Sequence, residues 1–399
     1  MAVDGTATRL VLREESKLRA RCSTAGSRLL PISVLVLTAA LILGLIPGVS
    51  GAKKSSKGTK VTVMTRNLYL GADLTPALQS TSADSFADAN GAIIRQVTAT
   101  NFPVRAKALA KEILANKPNL VGLQEVALWR TGPKSLIPVQ GGPKGATTVR
   151  YDFLKLLLDQ LNKHGNLYRA AMVEPEFDFE APANESGPPG GGVSGANENG
   201  RLTMRDVILA RKGTKTSKPK GGHFTHLLNV TVSIASISVT RGWAEVNAQV
   251  GNGPKFHFVD THFEAFDDSS QHPSIRAQQA SELVGPGGPA RSSLPVILVG
   301  DLNSDTKTEV QPGDAQAYQV VRKAGFVERS TSHPLSCCIN DPFIASGTTA
   351  DFNHKVDHIM TDTPKKVKLK SAKVVGRAQF DGLWPSDHAG LVSTLNLKR

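Results

Sequence analysis

The strongest constraint on the fold is a series of short apolar runs, each followed by polar residues. Runs of this length, bounded by turn residues, are typical of β-strands rather than of long helices. They lead to Asn67, Glu125, His262, Asp301-Leu302-Asn303, Asp357-His358 and Ser386-Asp387-His388. Because strand ends lie at the rim of a sheet, we expect these polar groups to gather into one site.

Other periodicities predict a mixed α/β chain in which strands outnumber helices. Apolar residues at 106, 109, 110, 113 and 114 form the stripe of an amphipathic helix, and a second helix is predicted over 151–163. Alternating or continuous apolar runs predict strands at 61–65, 120–123, 207–210, 230–239, 244–250, 256–260, 296–299, 356–360 and 391–395.

The first 52 residues have the layout of a secretory signal. Residues 29–47 are uncharged and mostly apolar, a basic stretch precedes them, and Ser50-Gly51-Ala52 offers a small-residue cleavage site. We therefore expect a secreted protein. The alternative is a membrane anchor through residues 29–47, since this run is nearly long enough to span a bilayer.

Residues 53–60 read as a Lys/Ser/Gly linker, and residues 61–399 as one domain. Residues 184–200 are rich in Gly, Pro and Asn, which predicts a long inserted loop or lid that does not pack.

The chain is basic, with a formal net charge of +13, and the excess remains when residues 1–52 are removed. Such a surface favours polyanions such as nucleic acid or anionic lipid, although solubility alone explains many basic proteins. Cys337 and Cys338 are adjacent and lack the spacing of a thiolate zinc site. They could form a vicinal disulfide or remain two buried thiols, and we favour a structural role for the pair.

The acids at strand ends suit a hard cation. Mg²⁺ takes oxygen ligands, usually one or two carboxylates together with substrate phosphate. Glu125, Asp301 and Asp387 could supply those carboxylates, with Asn67 and Asn303 adding amide groups. Taken singly, each is more often a solvated acid at the end of a strand.

Two histidines have candidate carboxylate partners. A histidine near its working pKa can activate water or protonate a leaving oxygen, and it needs an orienting carboxylate. We pair His262 with Asp206 and His388 with Asp357. Isolated histidines are more often ordinary surface or core residues.

In their order, these motifs resemble the endonuclease/exonuclease/phosphatase superfamily, with its DNase I-like fold. The matching segments are Thr65-Arg66-Asn67-Leu68, Leu123-Gln124-Glu125-Val126, Arg205-Asp206-Val207-Ile208-Leu209, Asp260-Thr261-His262-Phe263-Glu264, Gly300-Asp301-Leu302-Asn303, Lys355-Val356-Asp357-His358-Ile359 and Ser386-Asp387-His388. Each segment is short, but seven in the right order make coincidence improbable.

The resemblance implies an α/β fold, a four-layer β-sandwich of two mixed sheets flanked by helices. It implies a metal-dependent phosphoric ester hydrolase, with Asn67, Glu125, Asp301 and Asp387 on the metal side. Asp301 and Asn303 would face the scissile phosphate, Asp357 and His388 would form the acid/base dyad, and His262 would contact phosphate. Mg²⁺ is the expected cofactor, with Mn²⁺ and Ca²⁺ as alternatives.

The substrate stays open because this fold hosts many chemistries. DNA or RNA is preferred to phospholipid, because the chain is basic and only 5% aromatic, without an evident membrane-inserting hairpin. The alternatives are a sphingomyelinase-like phospholipase C and a non-catalytic surface-binding protein on the same fold. We expect a monomer, and no protein partner is inferable.

Overall fold

The computed structural model describes residues 58–399, except 233–234, 268–271, 307–313 and 332–334. The predicted signal or anchor, residues 1–52, and most of the predicted linker lie outside the described residues. Among the described residues, no helix is both long enough and apolar enough to cross a membrane.

The strands are β1 (Thr59–Asn67), β2 (Leu120–Gln124), β3 (Leu128–Gly132), β4 (Thr148–Asp152), β5 (Tyr168–Ala183), β6 (Glu198–Arg211), β7 (Thr214–His223), β8 (Leu228–Val232), β9 (Ala235–Val239), β10 (Gly242–Val250), β11 (Phe256–His262), β12 (Val296–Asp301), β13 (Val327–Glu328), β14 (Asp357–Thr361), β15 (Val367–Val375) and β16 (Gly390–Leu397). The helices are α1 (Thr75–Leu78), α2 (Ala83–Ala99), α3 (Phe102–Asn116), α4 (Phe153–Leu161), α5 (Gly192–Gly195), α6 (Ile275–Val284) and α7 (Gln316–Lys323), with a 3₁₀ turn at Pro138–Gln140.

The strands form two large mixed sheets. The larger sheet has the order β15-β16-β1-β2-β6-β3-β4, with β5 also paired to β6, and the smaller sheet has the order β13-β14-β12-β11-β10-β7. Within them, β1 runs parallel to β2 and β11 runs parallel to β12. Strands β8 and β9 form a separate hairpin.

Three apolar clusters separate four layers. Side chains between the sheets, such as Val63 and Ile208 from the larger sheet and Phe258 from the smaller one, form the central core. Helices α2, α3 and α4 pack on the outer face of the larger sheet. Helices α6 and α7 pack on the outer face of the smaller sheet. The predicted fold class, two mixed sheets flanked by helices, is confirmed.

Most predicted elements are present, with corrections at two places. The single strand predicted over 230–239 is instead the hairpin β8–β9. The segment 184–200 does pack, contrary to the prediction: it contains α5, and the Asn184 amide donates to Asp88 Oδ1 of α2 at 2.6 Å. Its composition hid these contacts because they use backbone and amide groups rather than apolar side chains.

Candidate active site

The site lies where the ends of four strands meet. In the parallel pair β1–β2, Asn67 is in register with Gln124, directly before Glu125. In the second parallel pair, His262 of β11 is in register with Asp301 of β12. Parallel pairing brings the carboxyl ends of both strands to the same rim. The antiparallel strand β14 then begins beside Asp301, with which Asp357 is in register.

The backbone at these strand ends is unusual. Glu125 and Asn303 have positive φ angles of 56° and 44°, a conformation that few residues other than glycine adopt. Gly300 is required by close packing, because a Cβ atom there would lie 2.1 Å from the Thr261 carbonyl oxygen. Such local constraints cluster at functional sites, where the surrounding structure holds them in place.

Asn67 joins the two sheets at the site. Its buried amide nitrogen donates to Glu125 Oε1 at 3.1 Å and to Asp301 Oδ2 of the other sheet at 3.0 Å. Its amide oxygen accepts from the backbone N–H of Tyr69 at 2.8 Å. The other Glu125 oxygen accepts from the Leu70 N–H at 2.7 Å. Both side chains are therefore held in one orientation.

His388 is held by a carboxylate, as the sequence predicts. Its Nδ1 lies 2.9 Å from Asp357 Oδ2, and its Nε2 lies 3.7 Å from Asp301 Oδ2. Burial by itself lowers the pKa of His388. The charges of Asp357, Asp301 and Asp387 outweigh this effect and raise the pKa well above its usual value. This set of carboxylates thus favours the positively charged form of His388 at neutral pH.

His262 has a different set of neighbours. Its Nδ1 lies 3.2 Å from Arg241 Nη1, and its Nε2 lies 3.0 Å from the Asn303 amide nitrogen and 3.7 Å from Asp301 Oδ2. Burial and the charge of Arg241 lower the pKa of His262 well below its usual value, so the ring is neutral. Because a guanidinium only donates, Nδ1 accepts from Arg241, and Nε2 is the ring nitrogen that faces Asp301 and the Asn303 amide.

Asp206, the predicted partner of His262, lies near the imidazole ring. It does not bind the Nδ1 atom, which faces Arg241 instead. Asp206, Glu176 and His262 each place one polar atom within 4.8 Å of the others. Burial raises the pKa of Glu176 to about 7, and burial together with the charge of Glu176 raises that of Asp206 well above its usual value. At neutral pH these two carboxyl groups therefore hold a proton between them.

The donor set suits a hard cation. Glu125 and Asp387 both line the open cleft at this rim. Burial, reinforced by the charge of Glu125, raises the pKa of Asp387 to about 6. Burial also raises the pKa of Asp301 to about 6, with Asp357 adding to the effect. Carboxylates that raise one another's pKa in this way leave a concentration of negative charge that a divalent cation would neutralise.

Two buried arginines hold the backbone of the site. Arg105 of α3 donates to the carbonyl oxygens of Leu68, Tyr69 and Pro385, which flank Asn67 and the Ser-Asp-His segment. Arg66 donates to the His388 carbonyl oxygen and forms an ion pair with Glu112 at 3.2 Å. These contacts fix the last strand connection, Ser386 to Ala389, against the end of β1.

The sequence predictions missed Arg241 and Glu176. Arg241 stands between two predicted strands, where a charged residue is read as part of a turn. Glu176 belongs to β5, which was not predicted because its alternation is interrupted by Pro175 and Pro182. The only signal for Arg241 in the sequence was that it is a charged residue directly before a glycine, Gly242.

The adjacent cysteines, Cys337 and Cys338, are joined by a disulfide. Cys338 Sγ lies 3.8 Å from His388 Nε2.

Two mixed sheets flanked by helices, with acids, amides and histidines at one rim, define a phosphoesterase of the DNase I-like class. The model of the endonuclease/exonuclease/phosphatase family matches residues 87–388. The chain therefore belongs to this family, whose members hydrolyse phosphate esters with divalent metals. A comparison with curated proteins finds no match.

Solved structures with a similar fold share little sequence. A family protein from Leptotrichia buccalis C-1013-b is 14% identical, with a TM-score of 0.48, covering 84% of this chain and 100% of its own. The mannosyl-6-phosphatase Bt3783 of Bacteroides thetaiotaomicron is 15% identical, with a TM-score of 0.46 and coverage of 84% and 99%. TDP2 of D. rerio, complexed with a single-stranded DNA product, is 17% identical, with a TM-score of 0.46 and coverage of 85% and 99%.

The raised pKa of Glu176 gives a stability prediction. Since the folded-state pKa of about 7 exceeds the ordinary 4.5, folding takes up a proton between these values. The resulting stability is fully present below pH 4.5 and is lost as the pH rises through about 7. Glu176→Gln stays neutral throughout. Its free energy of unfolding, measured with urea, should therefore fall less between pH 5 and pH 8 than that of the wild type.

Glu180→Gln is the matched control, because Glu180 is buried on the same strand and its carboxylate accepts from the N–H groups of Gly145 and Ala146. This variant should be destabilised at both pH values. An equal loss of stability in Glu176→Gln and wild type would contradict the shared-proton interpretation.

Proposed function

We propose that the protein is a divalent-metal-dependent phosphodiesterase that cleaves by direct attack of water. One observation carries the proposal: Asp301 Oδ2 lies 3.7 Å from the Nε2 atoms of both His262 and His388 and accepts from Asn67. A basic oxygen, two imidazole groups and an amide thus converge on one point at the rim of the cleft. Phosphoryl transfer needs this kind of array, because its transition state spreads charge over several oxygens.

In this proposal, Glu125 and Asp387 would hold the cation from the cleft side. The Asn67 amide nitrogen donates to Glu125 and to Asp301, so Asn67 positions these two carboxylates for the cation and the water. Mg²⁺ is our first choice, because every donor is a hard oxygen, with Mn²⁺ and Ca²⁺ as alternatives. When bound, the cation stabilises negative charge on the phosphate and on the leaving oxygen. The remaining functions belong to the side chains.

Asp301 is placed to take a proton from the attacking water. Its pKa of about 6 makes it a stronger base than an exposed aspartate, yet leaves it ionised at neutral pH. His388, kept charged by Asp357, donates to a phosphate oxygen or to the leaving group. His262 and the Asn303 amide offer hydrogen bonds to the other phosphate oxygens. Arg241 holds the His262 ring in place through its contact with Nδ1.

For the substrate, we propose nucleic acid first, because of the net charge of +13. Three lysines, Lys366, Lys368 and Lys370, lie at the outer edge of the larger sheet, at or just before β15. Of the described residues that line the cleft, Arg241 alone is cationic.

A sphingomyelinase-like phospholipase C is the second candidate, and a specific observation favours it. An apolar pocket opens beside the cleft and shares Leu74, Met204, Arg241 and Phe266 with it. A pocket of this kind suits the hydrocarbon part of a lipid. The low aromatic content of the chain had argued against this class.

We propose that the protein is secreted, on the layout of residues 1–52. Expression of the full chain should yield a mature protein that begins at residue 53, as judged by N-terminal sequencing of the culture medium. Ala52→Leu should block cleavage, since the signal site needs small residues. Retention of the intact chain in the membrane fraction of the wild type would favour the anchor through residues 29–47 instead.

The metal requirement is tested with purified protein on two substrates, plasmid DNA and sphingomyelin in mixed micelles. Hydrolysis should occur with Mg²⁺, stop with EDTA and return when Mg²⁺ is restored. Glu125→Ala should abolish it, because this residue supplies a metal-side carboxylate. Asp159→Ala, on the exposed face of α4, is the control. Full activity of Glu125→Ala would refute the metal assignment, and the substrate turned over decides between the two classes.

His388→Ala should lower kcat by about 10²–10⁴-fold, as expected for loss of a general acid. Asp357→Asn should lower it less, since the imidazole remains but loses the carboxylate that keeps it charged. His164→Ala, an exposed histidine, should leave kcat unchanged. A variant at His388 that changed KM alone would rule out the acid role.

A further inference from the structure

The pocket beside the cleft, which we call the apolar pocket, has no role in the chemistry described above. Its volume is about 80 Å³, and its walls come mainly from α1, α2, β3, β5, β6 and β9. Among its described lining residues are Ala77, Phe86, Phe177, Phe179 and Ile237. Nearly all of the lining is hydrocarbon or aromatic.

The few polar groups in this lining are already engaged. The Trp129 indole N–H donates to the Leu70 carbonyl oxygen at 2.8 Å. The Asn90 amide donates to the Pro182 carbonyl oxygen at 3.1 Å. Arg241 faces His262 and forms an ion pair with Glu264. A nucleobase here would leave its polar edges unpaired, which costs binding free energy, whereas a hydrocarbon would lose nothing.

The pocket adjoins the catalytic cleft. Leu74, Met204, Arg241 and Phe266 line both spaces, and Phe266 stands at their boundary with 41% of its surface exposed. Arg241 is the link to the chemistry, because its Nη1 lies 3.2 Å from His262 Nδ1. A group bound in the pocket is therefore one side chain away from a histidine that faces the phosphate.

The size of the pocket limits what it can hold. One buried water molecule needs about 10–15 Å³ of cavity volume, so a pocket of 80 Å³ holds roughly five to eight groups of that size. A straight hydrocarbon arm of about six carbons matches this volume. A longer chain would extend past Phe266 into solvent or into a lipid surface.

We propose that the apolar pocket binds the hydrocarbon arm of a phosphoester whose phosphate lies at Asp301, His262 and His388. The inference rests on the proposed phosphodiesterase function and deepens it. Net charge alone puts nucleic acid first as the substrate, whereas the pocket favours an ester with an alkyl or acyl group. Burial of the arm would position the phosphate against the histidines and contribute most of the selectivity between esters.

Binding of n-alkyl phosphonates, from methyl to octyl, tests the pocket separately from catalysis, since these compounds are not hydrolysed. Titration calorimetry with Mg²⁺ should show Kd falling about three- to fourfold per added methylene and levelling off near six carbons. Equal affinity for methylphosphonate and hexylphosphonate would overturn the proposal. Failure of every phosphonate to bind would overturn the phosphate site as well.

Ala77→Phe should fill the pocket and remove this dependence on chain length while leaving the Kd for methylphosphonate unchanged. Ala372→Phe is the matched control, because Ala372 lines a separate depression that shares no described residue with the cleft. Ile237→Trp repeats the test from the hairpin side, in case Ala77→Phe fails to fold. A chain-length dependence that survives both filling variants would refute the assignment.

Turnover then identifies the source of the arm. Hydrolysis of micellar sphingomyelin that is lost in Ala77→Phe would assign the pocket to a lipid. Turnover of soluble methyl hexyl phosphate alone, also lost in Ala77→Phe, would assign it to a small alkyl ester. Cleavage of plasmid DNA at the same rate in wild type and Ala77→Phe, without turnover of either alkyl ester, would overturn the proposal. Absence of phosphodiester turnover in every assay would instead refute the proposed function.

Discussion

The site depends on one buried contact between the two sheets, the hydrogen bond from the Asn67 amide to Asp301 Oδ2 at 3.0 Å. A second buried hydrogen bond between the sheets runs from the Gln124 amide to Asp260 Oδ1 at 2.6 Å. Both join the end of a parallel pair in one sheet to the other sheet. Because a buried polar group without a partner costs about 1–3 kcal/mol, these pairs fix the relative position of the strand ends. The geometry of the histidines follows from that alignment.

Burial of charge is the second constraint. Carboxyl groups gather beneath and around the rim, and few cations accompany them. At Glu176 and Asp206 burial outweighs the compensating charge of Arg241, so the pKa of both carboxyl groups is raised and the structure retains protons there. The two histidines consequently take opposite charge states although they face the same aspartate. His388 is surrounded by acids and is charged, while His262 stands beside Arg241 and is neutral.

Several elements were predictable because their pattern is local. The helix at 106–114 appears as α3 and the strand at 61–65 as β1, since each carries the period of its own structure. The strand β5 was missed because prolines interrupt its alternation, and pairing with β6 along its length holds it extended. The hairpin β8–β9 was read as one strand, because two adjacent strands of similar composition carry no local mark of reversal.

The sequence by itself determined the motifs, their order and the acids, amides and histidines that they contain, because strand ends and turn residues are encoded locally. The tertiary structure alone decided which groups touch. It placed Arg241 rather than Asp206 against the Nδ1 atom of His262, and it placed Glu176 beside Asp206. It also opened an apolar pocket next to the cleft. These features join residues far apart in the chain, so they follow from the packing of the two sheets and not from any local pattern.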